Sequence, residues 1–266
     1  MDLPVWQIIL LAIVQGIAEF LPISSSGHLV VLASLMGADA EEFDLVELNI
    51  VLHAGTLGSI LVVYRKQLFE ALTKDWRILF LLAVATLPAV IAAVLLKATD
   101  ADDLLESPFV AGICLLLTGA ILLLSQRLSQ KEQPYEATSW WQAWWIGCAQ
   151  ALAILPGISR SGSTICSGQA LGLSREGAAT FSFLMAVPAI LGAITLEAAK
   201  TLAETSESES GLPLWLLGLG ALVSFIVGWA SLVLLLSMVQ RGRLHWFAWW
   251  CFAVGLFVIL WQTTID

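Results

Sequence analysis

Charge is scarce in this chain of 266 residues: Asp, Glu, Lys and Arg together make up 12%, about half the usual share of a globular protein. Apolar residues fill the gap at 59%, and the mean hydropathy is +0.88. That balance excludes a soluble enzyme, a nucleic-acid binder and a disordered regulator, and it points to an integral membrane protein. Paired cysteine spacings are missing as well. Cys114, Cys148, Cys166 and Cys251 stand singly in apolar stretches, which excludes a disulfide framework and leaves them as small buried hydrophobes. The first apolar stretch has no basic leader segment, opens Met1-Asp2 and carries Glu19 where a cleavage site would fall. The expectation is therefore that it is no cleavable signal peptide.

Six stretches are apolar and long enough to cross a bilayer, which takes about 20 helical residues. They are 48–64, 78–97, 108–126, 178–199, 213–238 and 246–262. Two more, 4–36 and 140–171, are broken at Pro22-Ile-Ser-Ser-Ser-Gly27 and at Pro156-Gly-Ile-Ser-Arg-Ser-Gly162. Each is too long for one span and too short for two, so both read as re-entrant helix–break–helix hairpins. Irregular backbone survives at that depth where protein or a watery cavity surrounds it. The expected fold is an all-α polytopic membrane protein of ten helices, counted as six spans plus two hairpins, in one domain over 1–266.

Loop charges give the orientation. With 65–77, 127–139, 172–177 and 239–245 inside, that face holds Arg65, Lys66, Lys74, Arg77, Arg127, Lys131, Arg175, Arg241 and Arg243. The outer face keeps only Lys97 and Lys200, beside the acidic loops at Asp39–Glu47, Asp100–Glu106 and Glu204–Glu209. Nine basic residues against two satisfy the positive-inside rule, and Trp76, Trp140, Trp141, Trp144 and Trp246 supply an inner aromatic belt. Both termini then lie outside.

Shifting the chain by 135 residues superposes Gln15 on Gln150, Ala18 on Ala153, Ile23 on Ile158, Ser24 on Ser159, Ser26 on Ser161, Gly27 on Gly162 and Gly37 on Gly172. Residues 1–130 and 136–266 are thus expected to be repeats, each a hairpin followed by three spans. Three is odd, so the second repeat enters from the opposite side, and the two hairpin tips can meet near the midplane. Broken helices at such an interface form binding sites.

The repeats diverge where chemistry would sit. Glu19 faces Ile154, Ser25 faces Arg160 and His28 faces Ser163 in the alignment. Ionised groups inside a bilayer cost about 2.5–3.5 kcal/mol or more, so they tend to be functional. Glu19 and Arg160 could also pair as a structural lock, and the surrounding hydroxyls could be small residues that let helices pack. The reading favoured is an anion site. Ser24, Ser25, Ser26, Ser159, Ser161, Ser163 and Thr164 follow the Pro breaks at the start of new half-helices, where free N–H groups and an Arg fork suit phosphate. His28 falls one turn from Ser25, the pattern of a nucleophile with its base. Gln15 and Glu19 share a helix face at i, i+4, and Glu19 is the candidate metal ligand. His53 on the next span is balanced between supporting the site and packing. His245, at the inner boundary, is given no role.

These segments resemble the undecaprenyl-diphosphate phosphatase (bacitracin-resistance protein) family of bacterial inner membranes. One family signature reads here Gln15-Gly-Ile-Ala-Glu19-Phe-Leu-Pro-Ile-Ser-Ser-Ser-Gly-His28, and the other reads Pro156-Gly-Ile-Ser-Arg160-Ser-Gly-Ser-Thr164. Leu52-His-Ala-Gly-Thr-Leu57 and Phe181-Ser-Phe-Leu-Met-Ala-Val-Pro188 are similar as well. Gln15 stands where many members have Glu, which shifts the weight of a metal role to Glu19.

The resemblance implies hydrolysis of undecaprenyl diphosphate to undecaprenyl phosphate for another round of wall-precursor transport. It implies Mg²⁺ or Ca²⁺ dependence, a site open to the periplasm, and resistance to bacitracin, which competes by sequestering the substrate. A homodimer is compatible with it. In the expected mechanism Ser25 attacks with His28 as base. Arg160, helped by Ser24, Ser26, Gly157, Ser159, Ser161 and Thr164, balances phosphoryl charge, and Glu19 holds the cation. Direct attack by water is the rival route. A carrier that flips polyprenyl phosphates is the rival function, since inverted repeats with broken helices are also a transporter plan.

Overall fold

The computed structural model describes residues 5–35, 45–99, 105, 107–128, 131–204 and 212–265. The outer acidic loops, apart from Glu47 and Glu204 at helix ends, lie outside the described residues, as does Gly37. Eleven α-helices occur among the described residues, and no strand. They are α1 (Val5–Ala18), α2 (Ser25–Leu35), α3 (Leu45–Val63), α4 (Arg65–Thr73), α5 (Trp76–Lys97), α6 (Pro108–Leu124), α7 (Trp140–Leu152), α8 (Arg160–Ala170), α9 (Arg175–Glu204), α10 (Leu214–Gln240) and α11 (Trp246–Ile265). A 3-10 turn, Ser125–Arg127, follows α6. The protein is a multi-pass membrane protein. Five of these helices are long and apolar enough to span a bilayer, and α3 with α4 makes a sixth candidate bent by 76°.

Local chemistry places the ends. Asp75 accepts from the Arg77 N–H at the start of α5, and Ser107 with Pro108 opens α6. Ser139 and Gln142 form a reciprocal capping box on α7. The two interrupted stretches fold as helix, break and helix, with breaks at 19–24 and 153–159.

Two elements differ from the sequence reading. The segment 65–73, expected as loop, is helix α4. Its Leu68 and Ala71 turn toward the core while Arg65, Lys66 and Glu70 stay exposed, which is the pattern of a helix lying along an interface. A count of ten omits it. The span expected at 178–199 is the middle of the 30-residue α9. At 1.5 Å per residue this helix reaches about 45 Å, well beyond a hydrocarbon core of about 30 Å.

Large apolar side chains face outward, as a lipid solvent requires: Phe80, Val94 and Leu95 on α5, Leu222 and Ile226 on α10, and Phe257 on α11 are all more than half exposed. The interior instead holds hydroxyls and amides, with Gln15, Thr56, Ser59, Thr118, Thr164 and Ser224 all but sealed. α6 packs along α11, α3 along α10, α1 along α10, α5 along α7, and α9 lies between α3, α5 and α8. Backbones touch where glycine permits it. A Cβ on Gly147 of α7 would stand 2.3 Å from the Ala85 carbonyl oxygen of α5, so this pair of helices packs without an intervening side chain. Both breaks consequently sit in the middle of the bundle.

Candidate active site

The two breaks meet. Gly157 N–H donates to Ser24 Oγ at 3.1 Å, and the same oxygen accepts from Gly27 N–H at 3.3 Å, so one serine ties both tips. The approach is tight: a Cβ on Gly27 would fall 2.8 Å from Gly157 Cα. Gly157 has φ +92°, a conformation glycine adopts freely, and Ser24 takes φ +69° without being glycine. Held strain of that kind costs about 1–3 kcal/mol and clusters at functional sites. On the other side Thr118 of α6 clamps the second break, donating to the Gly157 carbonyl at 2.8 Å and accepting from Ser159 N–H at 3.0 Å.

Glu19 is the centre of the polar cluster, 8% exposed. Its Oε1 pairs with Arg160, the first residue of α8. Its Oε2 accepts from Gln15 Nε2 and from Ser25 Oγ, each at 3.1 Å, and His53 Nε2 stands 3.7 Å away. The Asn49 carbonyl orients His53 through Nδ1 at 2.9 Å. One donor and one acceptor are left over. Arg160 Nη1 and Gln15 Oε1 are buried and have no hydrogen-bond partner. A native protein rarely leaves such atoms empty-handed unless a ligand completes them.

A cavity of about 160 Å³ opens at Glu19 and Arg160, lined also by Ser24, Ser25, Ser26 and Ser159 with three apolar residues. The structure therefore gathers Glu19, Arg160 and the three serines of the first break around one space. It does not bring His28 to Ser25. His28 Nδ1 donates to the Ser24 carbonyl at 2.8 Å, and Nε2 accepts from Trp250 Nε1 at 3.0 Å, with the two rings stacked 6.2 Å apart. Both ring nitrogens are thus committed, and the Ser25 hydroxyl is bonded to Glu19 instead.

Ser161 and Thr164 lie off the cavity. Ser161 Oγ donates to the Phe20 carbonyl at 2.9 Å, and Thr164 Oγ1 bonds to the Arg160 carbonyl at 2.8 Å and to Ser182 Oγ at 2.6 Å. Ser159 is divided, capping α8 through Gly162 N–H at 3.1 Å while lining the cavity. Trp250, Thr118 and Ser182 were not singled out in the sequence. Trp250 sits in a tryptophan-rich helix end that reads as an aromatic belt, and a hydroxyl in an apolar span gives no local sign of its partner.

A family model described as bacitracin resistance protein BacA matches residues 8–257. The chain belongs to the BacA family. Among its relatives is an undecaprenyl-diphosphatase of Rhodopirellula baltica, 49% identical over 96% of both chains. Undecaprenyl-diphosphatases of Desulfatibacillum aliphaticivorans and Carboxydothermus hydrogenoformans are 38% and 36% identical, over 96% and 97% of this chain and 97% of each relative. For a BacA-family chain, a buried guanidinium with an unfilled arm beside a hydroxyl–carboxylate pair has the makings of a phosphoryl-transfer site. Charge balance and positioning are what that chemistry requires of a protein.

The same cluster holds the candidate donors for a divalent cation. No group of three or more His, Cys, Asp or Glu assembles among the described residues, so these side chains do not enclose an ion by themselves. The Glu19 carboxylate is a hard oxygen donor, and the amide that bonds to it, Gln15, has its own Oε1 buried without a partner. Mg²⁺ typically takes one or two such protein ligands and completes its shell with phosphate oxygens and water, so the donor set fits that mode of binding.

Proposed function

We propose that this chain hydrolyses undecaprenyl diphosphate to undecaprenyl phosphate and inorganic phosphate, returning the lipid carrier to wall synthesis and conferring bacitracin resistance. The observation that carries the reading is Arg160, which lines the cavity between the two breaks, is fixed on one arm by Glu19, and has its Nη1 buried without a partner. Relatives that are undecaprenyl-diphosphatases and align over nearly the whole chain support it.

Ser25 is the nucleophile. Its Oγ forms a bond to the terminal phosphorus as the bridging P–O bond breaks and undecaprenyl phosphate leaves, and its proton passes to the Glu19 Oε2 it already contacts. Arg160 Nη1 and the neighbouring serine hydroxyls hold the non-bridging oxygens. Water then attacks the phosphoserine, the Oγ–P bond breaks, and Glu19 returns its proton to Ser25. Glu19 and Gln15 would hold Mg²⁺ or Ca²⁺, which would offset charge on the diphosphate. His53 supports the carboxylate. The bonding of Ser25 favours Glu19 over His28 as first proton acceptor, and Trp250 keeps His28 poised at the edge of the site. A second reading, direct attack by water with His28 as base, draws on the closeness of His28 to the same break and requires Trp250 to release its Nε2.

The architecture behind this is an inverted repeat of six spans and two re-entrant hairpins, with both termini and the cavity mouth on the periplasmic side. Helix pairings support it. α1 with α10 is exchanged for α7 with α5 when the halves are swapped, α3 with α10 becomes α9 with α5, and α6 with α11 maps onto itself. The charge bias of the loops supports the orientation.

Phosphate release from undecaprenyl diphosphate by the detergent-purified chain tests the reading. Release with Mg²⁺ or Ca²⁺ that stops with chelator is the expected result. Folded protein that binds the lipid without releasing phosphate would overturn it in favour of a carrier.

A further inference from the structure

We propose a second phosphate-binding site, for the headgroup of a lipid, at the end of the bundle that carries the basic loops. A cavity of about 190 Å³ lies there, lined among others by Ser125, Gln126, Gln169, Arg175, Gly242 and His245. It shares no residue with the cavity at Glu19. Gln169 sits on α8 nine residues beyond Arg160, so the two sites occupy opposite ends of one half-helix, about 14 Å apart.

Its chemistry is that of an anion receptor. The Arg175 guanidinium makes no hydrogen bond or ion pair with any described residue, although the residue is half-buried. The Gln169 side chain is likewise unbonded, and His245 Nδ1 is buried without a partner. Ser125 spends its proton on the Leu122 carbonyl at 2.6 Å. No carboxylate lines the space. Gly242, at φ +67°, leaves room for the guanidinium, since a Cβ at that position would stand 2.6 Å from Arg175 Cζ. Unpaired donors around a half-buried Arg suit a phosphate, which takes two parallel bonds from the fork.

The neighbouring groove selects a lipid over a soluble phosphate. An apolar cavity of about 450 Å³ between α6 and α11, lined by Ala120, Leu123, Leu124 and Phe252, ends in Gln126 and Arg127. Gln126 lines both spaces, so a headgroup on Arg175 can leave its tail against α6 and α11. Basic pockets between membrane helices bind lipid headgroups in this manner.

The test uses native mass spectrometry of the delipidated full chain in detergent. Arg160→Ala serves as background, so that the site at Glu19 is weakened. Dioleoyl phosphatidic acid, dioleoylglycerol and inorganic phosphate are the probes. One phosphatidic acid should bind per chain, about 10-fold or more tighter than dioleoylglycerol. Arg175→Gln should weaken it about 10-fold or more, and Gln169→Leu should weaken it by a smaller factor. If Arg175→Gln does not fold, Gln169→Leu decides alone. Equal binding of dioleoylglycerol, or variants that bind phosphatidic acid like their parent, would overturn the site. Inorganic phosphate binding as tightly as the lipid would overturn the part played by the groove. Phosphate release by the otherwise native chain reports separately on the site at Glu19, so failure of one claim leaves the other standing.

Discussion

The two hairpins carry nearly the same motif and use it in opposite ways. In the first, Ser25 and Ser26 open to the cavity and Ser25 leans on a carboxylate. In the second, Ser159, Ser161, Ser163 and Thr164 are all buried, and the bonds of Ser161 and Thr164 go to protein partners. Arg160 carries the charge across to the first hairpin, while Ser161 and Gly157 reach it through bonds to the Phe20 carbonyl and Ser24 Oγ. In the proposed mechanism the Ile-Ser-x-Ser-Gly shared by the two hairpins serves as reagent on one side and as scaffold on the other. Three alignment columns separate them, where Glu19, Ser25 and His28 stand opposite Ile154, Arg160 and Ser163.

Substitutions that cross this division should break it in order of severity. Arg160→Ala should lower phosphate release about 10³-fold or more, the scale of an arginine that balances phosphoryl charge. A loss below about tenfold, with the fold intact by circular dichroism, would place the charge balance elsewhere. Glu19→Gln removes the proton acceptor and the Arg160 partner together, and a drop of about 10²–10⁴-fold in kcat is expected. Ser161→Ala sits on the scaffold side. It should cost about 1–2 kcal/mol in thermal or denaturant unfolding through the orphaned Phe20 carbonyl, with kcat nearly unchanged. A large fall in kcat with stability untouched would move Ser161 among the reagents. Trp250→Phe keeps the ring stack and removes one donor to His28, so about a fivefold reduction in kcat is expected, the worth of one hydrogen bond.

Sequence reached the hairpins because proline and glycine mark a break wherever it occurs. It reached Glu19 and Arg160 because ionised residues in apolar stretches stand out. α4 was missed because a short amphipathic run of Arg, Lys and Glu reads as loop until a bilayer surface is there to receive it. The helical spacing of Ser25 and His28 suggested a pair, yet it fixes only which residues share a face, and the imidazole turns to the Ser24 carbonyl and to Trp250, 222 positions away. Long-range partners such as Thr118 with Gly157 and Ser182 with Thr164 leave no local trace, which is why the scaffold role of the second hairpin was hidden behind its hydroxyls.

The most direct test follows the phosphoryl group itself. Undecaprenyl diphosphate labelled on the terminal phosphate is mixed with the purified chain, quenched with acid during turnover, and the peptides are analysed by mass spectrometry. Label on the peptide bearing Ser25, absent from Ser25→Ala and from every peptide of the second hairpin, is the predicted result. Label on a second-hairpin serine, or steady phosphate release by Ser25→Ala with no labelled peptide at all, would contradict the division of labour between the hairpins.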